Sequence, residues 1–281
     1  MRLLRLSLAA LTLAAVAATG LVHADTPAAP QTTELGRGTT IVFLHSLGAA
    51  RMDWMPTARK LLGRYRVVLV DLPGHGSSAL PDPFSLEAAA QQVDAVIARQ
   101  KAESTIVVGQ GLGGLIALMA VSAHPEHSRG LMLIDTQIKS PLPVGEQEMA
   151  QVTRFMDDNY ATFLQMAFSR MGRDSVESAK LFAAMSAAPP ATVKAYLRTL
   201  FTVDANRNLK MLPKPPALVF SERMWKSGTA WGTLAKAAGY EDSTIAVPQR
   251  IANAGLLVMK DQPDSLAAVV SRFADSRVGG K

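Results

Sequence analysis

Four glycines, Gly109, Gly111, Gly113 and Gly114, stand between a β-branched run, Thr105 to Val108, and an apolar helical run that reaches about Ala123. A strand that turns sharply into a helix can support two chemistries. In the nucleophile elbow, G-x-S-x-G, the middle residue is held in a strained backbone conformation and attacks a carbonyl. In a phosphate-binding turn, backbone amides at the helix start cradle an anion. Here the run reads G-Q-G-L-G-G, so Gly111 stands at the nucleophile position without a hydroxyl. Glycine adopts such a bend more easily than serine does. The phosphate reading is weak. A P-loop needs Gly-Lys-Ser/Thr, which is missing. G-x-G-x-x-G is met only through Gly109, Gly111 and Gly114, and that motif belongs to a first βα unit, whereas at least two strands come earlier here.

Other reactive side chains fall at strand or helix ends. His45 and Ser46 follow one apolar run, His75 lies just past the next, and Asp135 follows a third. Ser46 puts a hydroxyl beside an imidazole. The plainer role of His45 and His75 is to hold loops in place, and that of Asp135 is to cap a helix or loop. The backbone N–H groups of Leu112 and of Leu47 or Ser46 are candidate donors to an oxyanion, with the Gln110 amide beside them. His124 and His127 end a helix, where a cation complements the dipole. Their spacing suits a metal, but no neighbouring carboxylate cluster in the sequence supports one. The chain has no Cys, which excludes disulfides, thiolate metal sites and a thiol nucleophile.

These residues need a scaffold. The 281 residues, 48% hydrophobic and 19% charged, suffice for one large α/β domain with an insertion. Residues 1–24 read as a signal peptide: Arg2 and Arg5, an apolar run from Leu6 to Leu21, then Val22-His23-Ala24 before Asp25. That pattern predicts export to a periplasm or outside the cell, with membrane contact only through this segment before cleavage. Loss of Arg2 and Arg5 lowers the formal charge from +6 to about +4. The remaining basic residues form no stripe with interleaved aromatics, so nucleic acid is not an expected partner. Residues 25–38 are expected to be a flexible leader. Predicted strands are Thr39 to Leu44, Arg66 to Val70, Thr105 to Val108, Leu131 to Ile134, Ala217 to Phe220 and Ser243 to Val247. Predicted helices include Leu86 to Lys101 with Ser85 as N-cap, Gly228 to Gly239 and Pro263 to Phe273, with a loop from Ile251 to Met259. Strands alternating with helices imply a mostly parallel sheet covered on both faces.

Three ordered motifs carry a resemblance. H-S-L-G-A-A-R-M-D-W from His45, D-L-P-G-H-G-S-S from Asp71 and G-Q-G-L-G-G from Gly109 resemble the oxyanion-loop, second-loop and elbow segments of α/β-hydrolases of the esterase, lipase and haloperoxidase type. The resemblance covers about Thr39 to Asp135 and resumes near Pro216. It implies an α/β-hydrolase core over residues 39–135 and 214–281, with a helical cap over 136–213. It also implies positions for a triad: the nucleophile at Gly111, the base at Leu256, and the acid at Met224 or, in some members, at Asp135. Glu222 is a displaced alternative whose plainer role is a surface carboxylate. The Met and Phe residues of the cap suit an adaptable pocket wall, although most are expected to form the cap's own core.

Three functions are compatible with these residues. The first is an exported pseudohydrolase that binds a small acyl or carbonyl ligand, or a protein partner, without triad chemistry. The second is an active ester hydrolase with a relocated constellation of Ser46, His45 or His75, and Asp135. The third is an interaction protein that uses the cap surface. No cofactor and no metal are expected.

Overall fold

Continuous apolar runs build the centre of the sheet. The computed structural model describes residues 29–140, 145–172, 174–242, 244 and 248–279. Among them, β1 (Thr32–Gly36), β2 (Thr39–Leu44), β3 (Tyr65–Val70), β4 (Thr105–Gln110), β5 (Gly130–Ile134), β6 (Ala217–Ser221) and β7 (Pro248–Ile251) form one sheet in the order β1-β3-β2-β4-β5-β6-β7. β2, β3 and β4 are apolar and buried almost throughout, as strands covered on both faces must be. β2 to β7 pair in parallel, and only β1 runs antiparallel, on the edge against β3. Register then places the site. Leu44 pairs with both Val70 and Gly109, Gln110 with Ile134, and Ser221 with Ile251. His45, Asp71, Gly111, Asp135 and Glu222 consequently all leave the sheet at the C-terminal ends of its strands.

Helices α1 (Met55–Leu61) and α11 (Pro263–Val278) cover one face, packing Leu61, Leu266 and Val270 around Phe43 and Trp54. Helices α2 (Leu86–Ile97), α3 (Leu112–Ala123), α8 (Asn206–Met211) and α9 (Trp231–Ala237) cover the other. Ser85 is the N-cap of α2, its Oγ accepting from the Ala88 N–H at 3.0 Å, as the sequence predicts.

Four elements differ from expectation. The leader is not all loose: Thr32–Gly36 forms β1, because Thr-Thr-Glu-Leu favours extended backbone and β3 offers an edge. The last strand is Pro248–Ile251, an edge strand whose proline takes its first position, where no ladder donor is needed. Part of the expected Ser243 to Val247 strand lies outside the described residues. The expected loop from Ile251 to Met259 contains the end of β7 and the start of α10 (Val258–Asp261). Finally, α8 packs on α3 with Leu209 in the main core, so this part of the insertion belongs to the sheet's cover.

The remaining cap consists of α4 (Glu146–Asp158), α5 (Tyr160–Phe168), α6 (Ser175–Ala187) and α7 (Pro190–Leu200). It has its own core of Met156, Leu164, Met185, Val193 and Leu197, with Phe163, Phe168 and Phe182 against it. Most of the cap's Met and Phe residues are thus structural, although Met166 is 73% exposed.

Arg51 fastens β1 to the site. Its Nε donates to Thr33 Oγ1 at 2.9 Å, its backbone N–H donates to Asp71 Oδ1 at 2.8 Å, and its guanidinium pairs with Asp71 Oδ2. The Asp71 side chain is only 3% exposed. Arg51→Ala leaves that carboxylate without its main counter-charge, so denaturant unfolding is expected to show a loss of about 3 kcal/mol. Glu34 on β1 also pairs with Arg66, but on the surface, and Glu34→Ala is expected to change stability by under about 1 kcal/mol.

Candidate active site

β4 ends in Gln110 and α3 starts at Leu112, which leaves Gly111 alone to reverse the chain. Its backbone has φ 53° and ψ −119°, a conformation open to glycine and strained for any L side chain. The turn is tied on both sides. The Gly111 N–H donates to Ile134 O at 2.8 Å, and Gly111 O accepts from the Gly114 and Leu115 N–H groups at 3.1 Å. Close packing also requires the glycine at 113, where a Cβ would overlap the carbonyls of Leu44 and His45. The Leu112 and Gly113 N–H groups, at the start of α3, have no acceptor within the helix, and a helix start favours a carbonyl oxygen or carboxylate.

Ser46 fills the space that a side chain on Gly111 would take. A Cβ at residue 111 would overlap Ser46 Oγ and lie 3.1 Å from Ser46 Cβ. The site therefore keeps a hydroxyl, supplied from the loop after β2.

The two histidines beside that loop are committed to the backbone. His45 Nδ1 lies 2.7 Å from Ser46 O, and its Nε2 accepts from the Leu72 N–H at 3.0 Å. His75 Nε2 accepts from the Gly48 N–H at 3.2 Å, and its Nδ1 faces Pro73 O at 3.3 Å. These partners select the neutral tautomer with the proton on Nδ1 in both rings. Burial lowers the pKa of both, that of His45 to about 4. The rings meet edge to face at 5.0 Å. Neither has a nitrogen left to take a proton from Ser46, so the loop-holding role is the one the geometry supports.

The position assigned to the base lies beside the turn, and its loop is joined to the one that carries the position assigned to the acid. Leu256 O accepts from the Gln110 side-chain amide, which ties its loop to the elbow rather than leaving that amide to serve an oxyanion. Met224 follows β6, its N–H donating to Ser221 O at 3.1 Å. The two loops are laced together, Arg223 N–H donating to Ala254 O at 3.2 Å. Neither Leu256 nor Met224 carries a titratable group. Glu222 is at the surface, accepting from the Asn253 N–H at 2.7 Å and facing Arg250, in line with its plainer role.

Asp135 is more than a loop residue. It is 6% exposed, has φ 45°, and its Oδ1 accepts from the Ser221 N–H at 2.7 Å. Its Oδ2 is buried with no hydrogen-bond partner among the described residues. Burial pushes its pKa up to about 7, opposed by the hydrogen bond from Ser221 and the charge of Arg223.

The cap sits on these loops, as the resemblance implies, through contacts the sequence did not single out. Met185 of α6 packs against Gly48, Thr192 of α7 donates to Gly74 O at 2.9 Å, and the Glu177 carboxylate of α6 lies against Gly255 beside Leu256. A groove of ≈ 620 Å³ lies elsewhere, on the cap, lined by Glu146, Met149, Thr153, Arg154, Asp157 and Thr202.

A parallel sheet with a strained strand-to-helix turn at the end of its central strand defines the hydrolase class of α/β folds. The sequence model of the Alpha/beta hydrolase family matches residues 41–269, and the chain belongs to that family. Among its relatives is the pimeloyl-[acyl-carrier protein] methyl ester esterase of Aeromonas hydrophila, 30% identical over 197 residues that cover 64% of this chain and 75% of the relative. The protein of the same name from Pseudoalteromonas atlantica is 33% identical over 111 residues, 39% of this chain and 42% of the relative. Similar solved structures include a hydrolase from Oleispira antarctica, with TM-score 0.72 and 16% identity over 88% of this chain and 94% of that one. A thermophilic esterase from Thermogutta terrifontis gives TM-score 0.70 and 18% identity over 88% and 93%. At those identities the structures speak for the fold alone.

Proposed function

We propose that this chain is a pseudohydrolase that binds a small acyl or carbonyl compound at the elbow without Ser-His-Asp chemistry. One observation carries the reading. Residue 111 keeps the strained nucleophile backbone, φ 53° and ψ −119°, but has no side chain. Leu256 and Met224 add no proton carrier at the other two positions. The helix start after Gly111 still offers N–H donors to a carbonyl oxygen. Esters named for the relatives, of the pimeloyl methyl type, supply the ligand class to try first. The leader pattern in residues 1–24, which lies outside the described residues, makes this an exported protein in the same proposal. Among the described residues no helix is long and apolar enough to cross a membrane.

A second reading rests on the Ser46 hydroxyl at the place of a nucleophile and on the esterase names of the relatives. It requires a base, and His45 and His75 both have their nitrogens engaged. The test is ester hydrolysis by the purified chain over a series of acyl lengths, with Ser46→Ala alongside. Rates at the level of the blank, together with a saturable rise in Tm with an acyl compound, are expected. Turnover lost in Ser46→Ala would instead establish the second reading. Turnover typical of esterases that survives in Ser46→Ala would sink both.

A further inference from the structure

The far end of α3 brings three metal-ligating side chains together. His124 follows the helix, and the short turn Pro125–His127 folds back so that the two imidazoles stack at 5.1 Å with planes 16° apart. Asp94 of α2 reaches both. His127 Nδ1 lies 2.8 Å from Asp94 Oδ1, and His124 Nε2 lies 3.9 Å from Asp94 Oδ2. One ligand atom from each residue falls within 4.8 Å of the others. The sequence spacing alone showed two histidines. The carboxylate comes from a helix some 30 residues earlier and is visible only in the fold.

We infer that Asp94, His124 and His127 form a binding site for a divalent transition-metal ion. Donors about 2.1 Å from an ion stand roughly 3 to 3.5 Å apart at tetrahedral or octahedral angles. The observed separations need only small rotations to reach that. The 3.9 Å gap between His124 and Asp94 is too long for a hydrogen bond and closes to the spacing of two ligands of one ion with a small rotation of either side chain. A second observation concerns the outer side of His124. Its Nδ1 lies 3.3 Å from Glu126 Oε1, so a carboxylate holds the ring with Nε2 turned toward Asp94. Metal-bound histidines commonly have this carboxylate behind them. Two imidazoles and one carboxylate, with room for water, suit Zn²⁺, Ni²⁺ or Cu²⁺ better than Mg²⁺ or Ca²⁺.

The site is remote from the elbow. The 12 residues of α3 separate them by roughly 18 Å. An ion here ties α2, α3 and the following turn into one unit, so its effect falls on stability and not on acyl chemistry. His127 is 28% and Asp94 13% exposed at the side chain, while His124 is 48% exposed and open to an arriving ion.

The experiment is titration of the untagged, chelator-treated chain with Zn²⁺ by calorimetry, and with Co²⁺ by visible absorption. One ion per chain is expected, with weakening of at least about 10-fold in His124→Ala, His127→Ala and Asp94→Asn. Glu126→Gln is expected to weaken binding less than any of these, by no more than a few fold, through the ring it orients. Zn²⁺ at a hundredfold excess over Kd is expected to raise Tm on the order of 5 °C in the parent and not in the variants. His124→Ala is the informative variant, since its half-exposed side chain can go without loss of fold. Unchanged affinity in the His124→Ala/His127→Ala double variant would overturn the assignment, as would absence of binding to the parent. Loss of binding in His124→Ala at an unchanged metal-free Tm would establish it.

Discussion

The triple variant Ser46→Gly/Gly111→Ser/Leu256→His is expected to hydrolyse short acyl esters at least about 100-fold faster than the parent, whereas Gly111→Ser alone is expected to gain nothing. Serine at residue 111 would take the backbone of an elbow nucleophile, but at φ 53° and ψ −119° it carries strain of about 1–3 kcal/mol. Its Cβ would overlap Ser46 Oγ and sit 3.1 Å from Ser46 Cβ. The single variant is therefore expected to be destabilised and to displace the very hydroxyl it adds to. Ser46→Gly clears that space and restores the small residue usual at this point of the resembling motif. The new serine still needs a base. Leu256 is the residue to change, because its loop is already held against Gln110 and its side chain is only half-buried. The Glu177 carboxylate lies against the neighbouring Gly255. Nucleophile and base act as a unit, and losing either in a serine protease costs about as much as losing both. Single replacements should accordingly be silent and the combination should not. Ester rates measured with circular dichroism on all variants decide the matter. A folded triple variant without turnover would mean that residue 111 is no longer presented to a ligand, and the pseudohydrolase reading would lose its proposed binding site. Full activity in Gly111→Ser alone would mean that a base exists which the geometry does not reveal.

How much of this site the sequence could reveal depended on the range of each interaction. The elbow was legible because strand, glycine turn and helix are contiguous, and each obeys local rules of period and backbone freedom. The loop-holding role of His45 and His75 was legible from their place just past strand ends, although the N–H groups they hold, on Leu72 and Gly48, lie 27 residues away. Ser46 was visible as a hydroxyl in the right loop, but its contact with Gly111 spans 65 residues and needed the β2–β4 register. Asp135 was underestimated. Its burial comes from β6 and from the loop that bears Arg223, elements more than 80 residues later. Glu177 was missed altogether, since nothing in a cap helix marks one carboxylate among several as the one that meets Gly255. Edge elements failed differently. β1 and β7 are short and mixed in polarity, so composition suggested a leader and placed the last strand a few residues early. Pairing with β3 and β6 decided both.

The pH dependence of stability is expected to change most in Asp135→Asn. The carboxyl ionises near 3.8 in the unfolded chain and near about 7 in the fold, where burial disfavours its charge. A raised pKa means that the folded state binds a proton the unfolded state has released. The stabilising contribution of the protonated carboxyl is therefore complete below about pH 4, declines as pH rises, and is gone above about pH 7. A shift from 3.8 to about 7 corresponds to about 4 kcal/mol at most. Asparagine keeps an oxygen to accept from the Ser221 N–H but cannot ionise. Its own cost, an amide beside the unpartnered position of Oδ2, is the same at every pH. The difference in unfolding free energy between variant and parent should consequently move in the variant's favour between pH 4 and pH 7 and level off above that. His45, whose pKa is lowered to about 4, destabilises the fold as pH falls from 6.5, but it does so equally in both proteins and cancels. The buried Tyr240 faces the same carboxyl and stays neutral over this range, because burial pushes its pKa upward. Denaturant unfolding of both proteins at intervals from pH 4 to 8 measures the difference. A flat difference would mean that Asp135 ionises in the fold as readily as in the unfolded chain, which the nearby charge of Arg223 would then explain.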